Sequence, residues 1–125
     1  QSRYSTFDLS DSMIQGNLAQ SIKTFQYLVE SGEPNSLILW TISKEMRLLM
    51  QLFEQPQNAL QLGIWKTKVS QYQHALRRLN PQQFLTWPQL LLRIDAAIKG
   101  KSKENPEHLI QQCIAELCGK TLFPV

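Results

Sequence analysis

Apolar residues recur at steps of three and four along almost the whole chain, and no alternating run of strand type persists. The pattern predicts helices throughout. A first helix is expected from about Thr6 to Gln15, with Asp8 and Asp11 in its opening turns, where negative charge suits the positive helix end. Gly16-Asn17 breaks it, and Asn17 can cap the next helix. That second helix carries Leu18, Ile22, Phe25 and Val29 as one stripe and stops at Gly32. Glu33-Pro34 opens the third, whose seam is Leu39, Ile42, Met46, Leu49 and Phe53. Leu37, Ile38, Trp40, Leu48 and Met50 widen its apolar surface so far that it is expected at the centre of a bundle. Glu45, with Arg47 close by, falls inside this sector; such a charge is either exposed on the helix's one wet side, which is the expectation, or paired across an interface.

Residues 55–63 form a polar connector around Pro56, with room for one helical turn at Ala59 to Leu62. The fourth helix comes after Trp65, with Thr67 as its cap and Val69, Tyr72, Leu76 and Leu79 as its seam. Arg77 and Arg78 fall in its last turn, where positive charge suits the dipole. Asn80-Pro81 begins a short turn to Thr86, and Pro88 then predicts a break or kink, because a proline inside a helix costs about 3 kcal/mol or more. A helix from Trp87 to Lys99 would bury Leu90, Leu91, Ile94 and Ile98 and end at Gly100. Asn105-Pro106 opens the last helix, with Leu109, Ile110, Cys113, Ile114 and Leu117 inward and Gly119 as its stop. Five or six helices with short links make an all-α, compact antiparallel bundle, one domain over residues 1–125.

A hydrophobic share of 42% with 18% charged residues suits a folded globule rather than a disordered tail. No apolar run approaches the ~18 to 20 residues needed to span a bilayer, and the N-terminus has no signal-peptide pattern. Cys113 and Cys118 lie about 140° apart around one helix and cannot bridge to each other within it. A reduced, cytoplasmic protein is the simplest expectation. The opening Gln1-Ser2-Arg3, without an initiator Met, reads as a chain entered midway, a fragment of a longer protein. The net charge of +3 is uneven, −2 over residues 1–65 and +5 over residues 66–125. Such a basic sector is either a solvated face or one lying near a polyanion.

Candidate chemistry is sparse. Gly100-Lys101-Ser102 looks like the end of a phosphate-binding loop, but the first glycine is missing and no strand precedes it. His74 and His108 have no ligand at metal spacing, and Asp95 with Lys99 is an ordinary helix surface pair. No nucleophile, base and orienting partner can be named, so no catalytic residue, metal or cofactor is expected. Two features stand out. Trp65 beside Lys66 and Lys68 would either anchor its loop on the bundle or stack on an unpaired base while the lysines hold phosphates. Lys101 and Lys103 form a basic loop in the same electropositive sector.

Taken in order, these residues resemble a known family. Arg3-Tyr4-Ser5-Thr6-Phe7-Asp8-Leu9, then Gly32-Glu33-Pro34, Leu39-Trp40 and Glu45-Met46-Arg47-Leu48-Leu49 resemble the third domain of bacterial DNA polymerase III delta subunits. So do Leu62-Gly63-Ile64-Trp65, Ala75-Leu76-Arg77-Arg78-Leu79, Arg93-Ile94-Asp95, Ile98-Lys99-Gly100 and the last helix through Leu117-Cys118. The resemblance implies a non-catalytic helical domain in the closed collar of the clamp loader, which places the sliding clamp on primed DNA. It implies partners in the collar domains of delta prime and gamma or tau, with the clamp gripped by an N-terminal domain outside this chain. Primed template would be touched weakly, or only in the full complex. Leu48, Leu52, Phe53, Leu122, Phe123 and Val125 are the apolar residues expected at subunit interfaces. Two other classes stay open: an independent helical single-strand binding module, and a helical adaptor of an unrelated complex.

Overall fold

Three of the helices begin where a side chain supplies an acceptor for amides that have no partner of their own. Ser5 caps the first: its hydroxyl accepts from the Asp8 amide, and the Asp8 carboxylate accepts from the Ser5 amide at 2.7 Å. Asn17 accepts from the Gln20 amide, and Asn105 from those of Glu107 and His108. The computed structural model describes residues 3–120, and all its regular elements there are helical. They are α1 (Thr6–Ile14), α2 (Leu18–Glu30), α3 (Asn35–Glu54), α4 (Val69–Arg78), α5 (Gln83–Ile98) and α6 (Pro106–Leu117), with short 3-10 turns at Pro56–Asn58 and Lys66–Lys68. No helix among them is long and apolar enough to cross a membrane.

The breadth of apolar surface on α3 does place it centrally, against α1, α4, α5 and α6. Ile38, Ile42, Met46, Leu49 and Leu52 are fully buried along it. Leu52 is therefore core and unavailable to a neighbouring subunit, a correction to the expected interface. Phe53 keeps an exposed edge while its ring meets Phe84 at 5.2 Å. Leu122, Phe123 and Val125 lie outside the described residues.

Glu45 is a second correction. It is 2% exposed, not on a wet side, and accepts a 2.5 Å hydrogen bond from the Tyr72 hydroxyl of α4. The sequence places Tyr72 on the seam of α4, and α4 packs on α3, so the tyrosine brings a donor to the carboxylate.

α2 turns a different face inward from the predicted stripe. Ser21, Thr24, Phe25 and Leu28 are buried, while Leu18, Ile22 and Val29 are half-buried. The small hydroxyl residues let α1 and α6 approach: the Ser21 hydroxyl donates to the Asn17 carbonyl at 2.7 Å and lies 2.9 Å from that of Ser12.

Pro88 does not break α5, which runs unbroken on both sides of it. The leading turn is closed by amides of Gln83, Phe84 and Leu85 bonding to carbonyls three residues back, the tighter 3-10 pattern. Asn80 accepts from the Gln82 amide while the Gln83 side chain accepts from the Asn80 amide, both at 3.0 Å. Trp87 is fully buried and donates its indole N–H to Glu116 at 3.0 Å, and Phe84 meets it edge-on at 4.9 Å. That burial offsets the one backbone bond the proline removes. At the start of α4, Thr67 makes no capping bond; a 3-10 turn leads in instead.

The last turn of α4 reaches across to two other helices. Arg78 donates from Nε to the Cys118 carbonyl at 3.0 Å. Its terminal nitrogen reaches the carbonyls of Ile14 at 3.1 Å and of Met13 and Leu117 at 3.3 Å. These belong to the C-terminal ends of α1 and α6, where helix carbonyls lack partners within the helix. Gly16 and Gly119 stand beside the guanidinium with φ of +78° and +76°, and a Cβ on either would fall 2.7 or 2.9 Å from the Arg78 side chain.

Candidate functional site

The loop from the 3-10 turn to α4 is held by Ile64, which is buried, while the Trp65 ring is 74% exposed. Ile64, not Trp65, anchors this loop. Lys66 beside it is exposed, whereas Lys68 is half-buried and ion-paired with Asp11 of α1. The amides of Lys68 and Val69 bond back to the Trp65 and Lys66 carbonyls, so they close the turn rather than face outward. Lys101 and Lys103 are exposed on the loop from α5 to α6, where Glu104 pairs with Arg93 at 2.5 Å. Among the described residues no hydrogen bond or ion pair joins that loop to the Trp65 segment.

Trp65 and Phe7, the latter 76% exposed, stand at a cleft of about 200 Å³ between α1, α3 and the loop before α4. Leu48 and Ile64 contribute apolar wall, and Asp11 with Lys68 closes one side. Glu45 and Tyr72 lie at its inner end. Burial, followed by the Glu45 charge and its hydrogen bond, pushes the Tyr72 phenol well above its ordinary range, so the tyrosine keeps its proton and acts as the donor. Lys44, also on the cleft, holds its ammonium 5.5 Å from the Trp40 ring, close enough for a cation–π contact. The cleft escapes the sequence because its residues come from separate segments. Trp65, Lys68 and Leu48 each stand out along the chain, but nothing there says that they share a wall.

A second outward apolar surface runs along α5. Leu85 and Leu92 are 80% and 70% exposed, seven residues apart and so on one side of the helix, with exposed Pro88 between them. Trp87, Leu90, Ile94 and Ala97 occupy the opposite, buried side. Contiguous exposed apolar surface is the kind that a partner can cover.

No three His, Cys, Asp or Glu side chains among the described residues come together so as to hold a metal ion. His74 and His108 are both exposed, the first 2.9 Å from Arg77. Cys113 and Cys118 are free and buried.

Comparison with known protein families matches residues 4–117 to the model described as DNA polymerase III delta subunit, C-terminal domain. No curated protein matches the chain.

Proposed function

Since the chain belongs to the family formed by the C-terminal domain of the DNA polymerase III delta subunit, a family with a clamp-loader role in replication, we propose that it is a non-catalytic assembly domain that holds its subunit in the collar of that loader. A member of a ring of non-identical subunits meets a different neighbour on each side, and so needs two unlike surfaces. The observation that carries the reading is the pair of outward apolar regions: the Leu85–Leu92 ridge of α5, and the Phe7, Leu48 and Trp65 surface across α1, α3 and the loop before α4. Phe53, exposed at the end of α3, extends the set of candidate contacts. Its partners in this reading are the collar domains of delta prime and of gamma or tau, in the cytoplasm, while grip on the sliding clamp belongs to another domain of the subunit.

The test mixes this chain with the gamma collar domain and measures mass by size exclusion with light scattering. A stable complex at micromolar concentrations is expected, and the double variant Leu85→Glu/Leu92→Glu should abolish it while melting at the same temperature. No complex, or one indifferent to both substitutions, would sink the ridge as an assembly surface.

Exposure of the Trp65 ring beside Lys66 favours a second reading, contact with unpaired template inside the assembled loader, with Lys101 and Lys103 as further phosphate contacts. Trp65→Ala should then weaken primed-template binding by about 1 to 3 kcal/mol; unchanged affinity removes the ring from the DNA path. An independent single-strand module would instead bind oligonucleotide on its own with steep salt dependence.

A further inference from the structure

We propose that the cleft between α1, α3 and the loop before α4 receives the guanidinium of an arginine presented by a neighbouring protein. The inference rests on the assembly reading and names the chemistry of one contact within it.

Glu45 carries the argument. A buried ionised carboxylate is costly unless a cation or several donors meet it. Glu45 has one donor, Tyr72, and among the described residues it makes no other hydrogen bond or ion pair. An ionised carboxylate offers about four lone-pair directions, so most of its acceptor capacity is unused. What little surface it keeps faces the cleft it lines. The lysines nearby do not serve it: Lys68 is bound to Asp11, and the Lys44 ammonium lies over Trp40. A buried carboxylate that lines an open cleft is thus left without a cation among the described residues.

The walls select among cations. Phe7 and Trp65 present largely exposed rings at the mouth, and a flat guanidinium stacks on aromatic faces while its fork of N–H donors engages a carboxylate. Ammonium is more strongly hydrated and cannot make the two-pronged contact. A volume of about 200 Å³ accepts the head of one long side chain rather than a folded element. A nucleic-acid strand is disfavoured here, because its phosphates would meet the Glu45 and Asp11 carboxylates.

The experiment titrates the 125-residue chain with acetyl-Gly-Arg-Gly-amide and with its lysine and citrulline counterparts, following the tryptophan indole resonances by NMR. The arginine peptide should shift the Trp65 signal saturably and leave that of buried Trp87 in place; lysine should bind severalfold more weakly and citrulline not at all. Glu45→Gln keeps an acceptor for Tyr72 and should weaken the arginine peptide roughly tenfold. Trp65→Ala, at an exposed position, should weaken it too without touching the fold. Citrulline binding as well as arginine, or affinity indifferent to both substitutions, overturns the proposal. So does a single-stranded oligonucleotide that saturates the Trp65 signal while the arginine peptide leaves it unmoved. A silent cleft in a chain that still pairs with the gamma collar domain sinks this inference alone; a responsive cleft in a chain that never pairs sinks the assembly reading instead.

Discussion

The two thiols show what burial does to a single side chain. Desolvation, with the nearby Glu116 charge adding to it, pushes Cys113 up to about 12 from 9.0, and burial raises Cys118 as well. A group whose native pKa is raised contributes stability that is fully present below its unfolded value and is lost as pH climbs towards the native one. The urea midpoint should therefore fall between pH 9 and pH 12. A Cys113→Ala/Cys118→Ala chain should lack the part of that fall that precedes tyrosine ionisation; an identical slope would contradict the assignment. Burial of Cys113 is legible in the sequence, because the stripe of its helix runs through it. The environment of Glu45 is not: nothing local says that Tyr72, 27 positions away, will supply a hydroxyl. Leu52 is misplaced for a related reason: on a helix with apolar residues on several sides, the sequence does not say which of them the neighbouring helices cover.

Among elements, α6 can be read almost residue by residue. Its Asn-Pro start, its stripe and its glycine stop are all local signals, and all five predicted inward residues are buried. α5 cannot, because the proline rule ignores its competitor. Trp87 and Phe84, packed with Phe53 and bonded to Glu116, hold the turns around Pro88 in helical form. Pro88 is then an interruption that the fold tolerates, and removing it should help. Pro88→Ala restores a donor for the Phe84 carbonyl and should raise stability by roughly 1 kcal/mol or more, offset in part by a freer unfolded chain. Chemical denaturation of the two proteins measures this, and a loss of stability would mean that the ring itself packs usefully. α2 teaches a similar lesson, for hydroxyl residues point inward where a count of apolar positions points elsewhere.

For the whole molecule, the order of elements, the central place of α3 and the single helical core can be had from periodicity, whereas the cleft and the outward ridge on α5 need the third dimension. Both arise from residues that the core leaves over, and leftovers are visible only once the core is known. The Arg78 junction belongs to the same class and has a consequence for how the bundle comes apart. One guanidinium closes the ends of α1 and α6, two helices separated by most of the chain, so losing its grip strands carbonyls at both ends at once. Hydrogen exchange should find both ends opening with a single free energy. Arg78→Gln should release the two together while the middle of α3 stays protected, and separate opening of either end would refute the coupling. A single side chain is thus the bolt for two helix ends, and the two glycines beside it act as empty sockets whose smallest enlargement would unseat it.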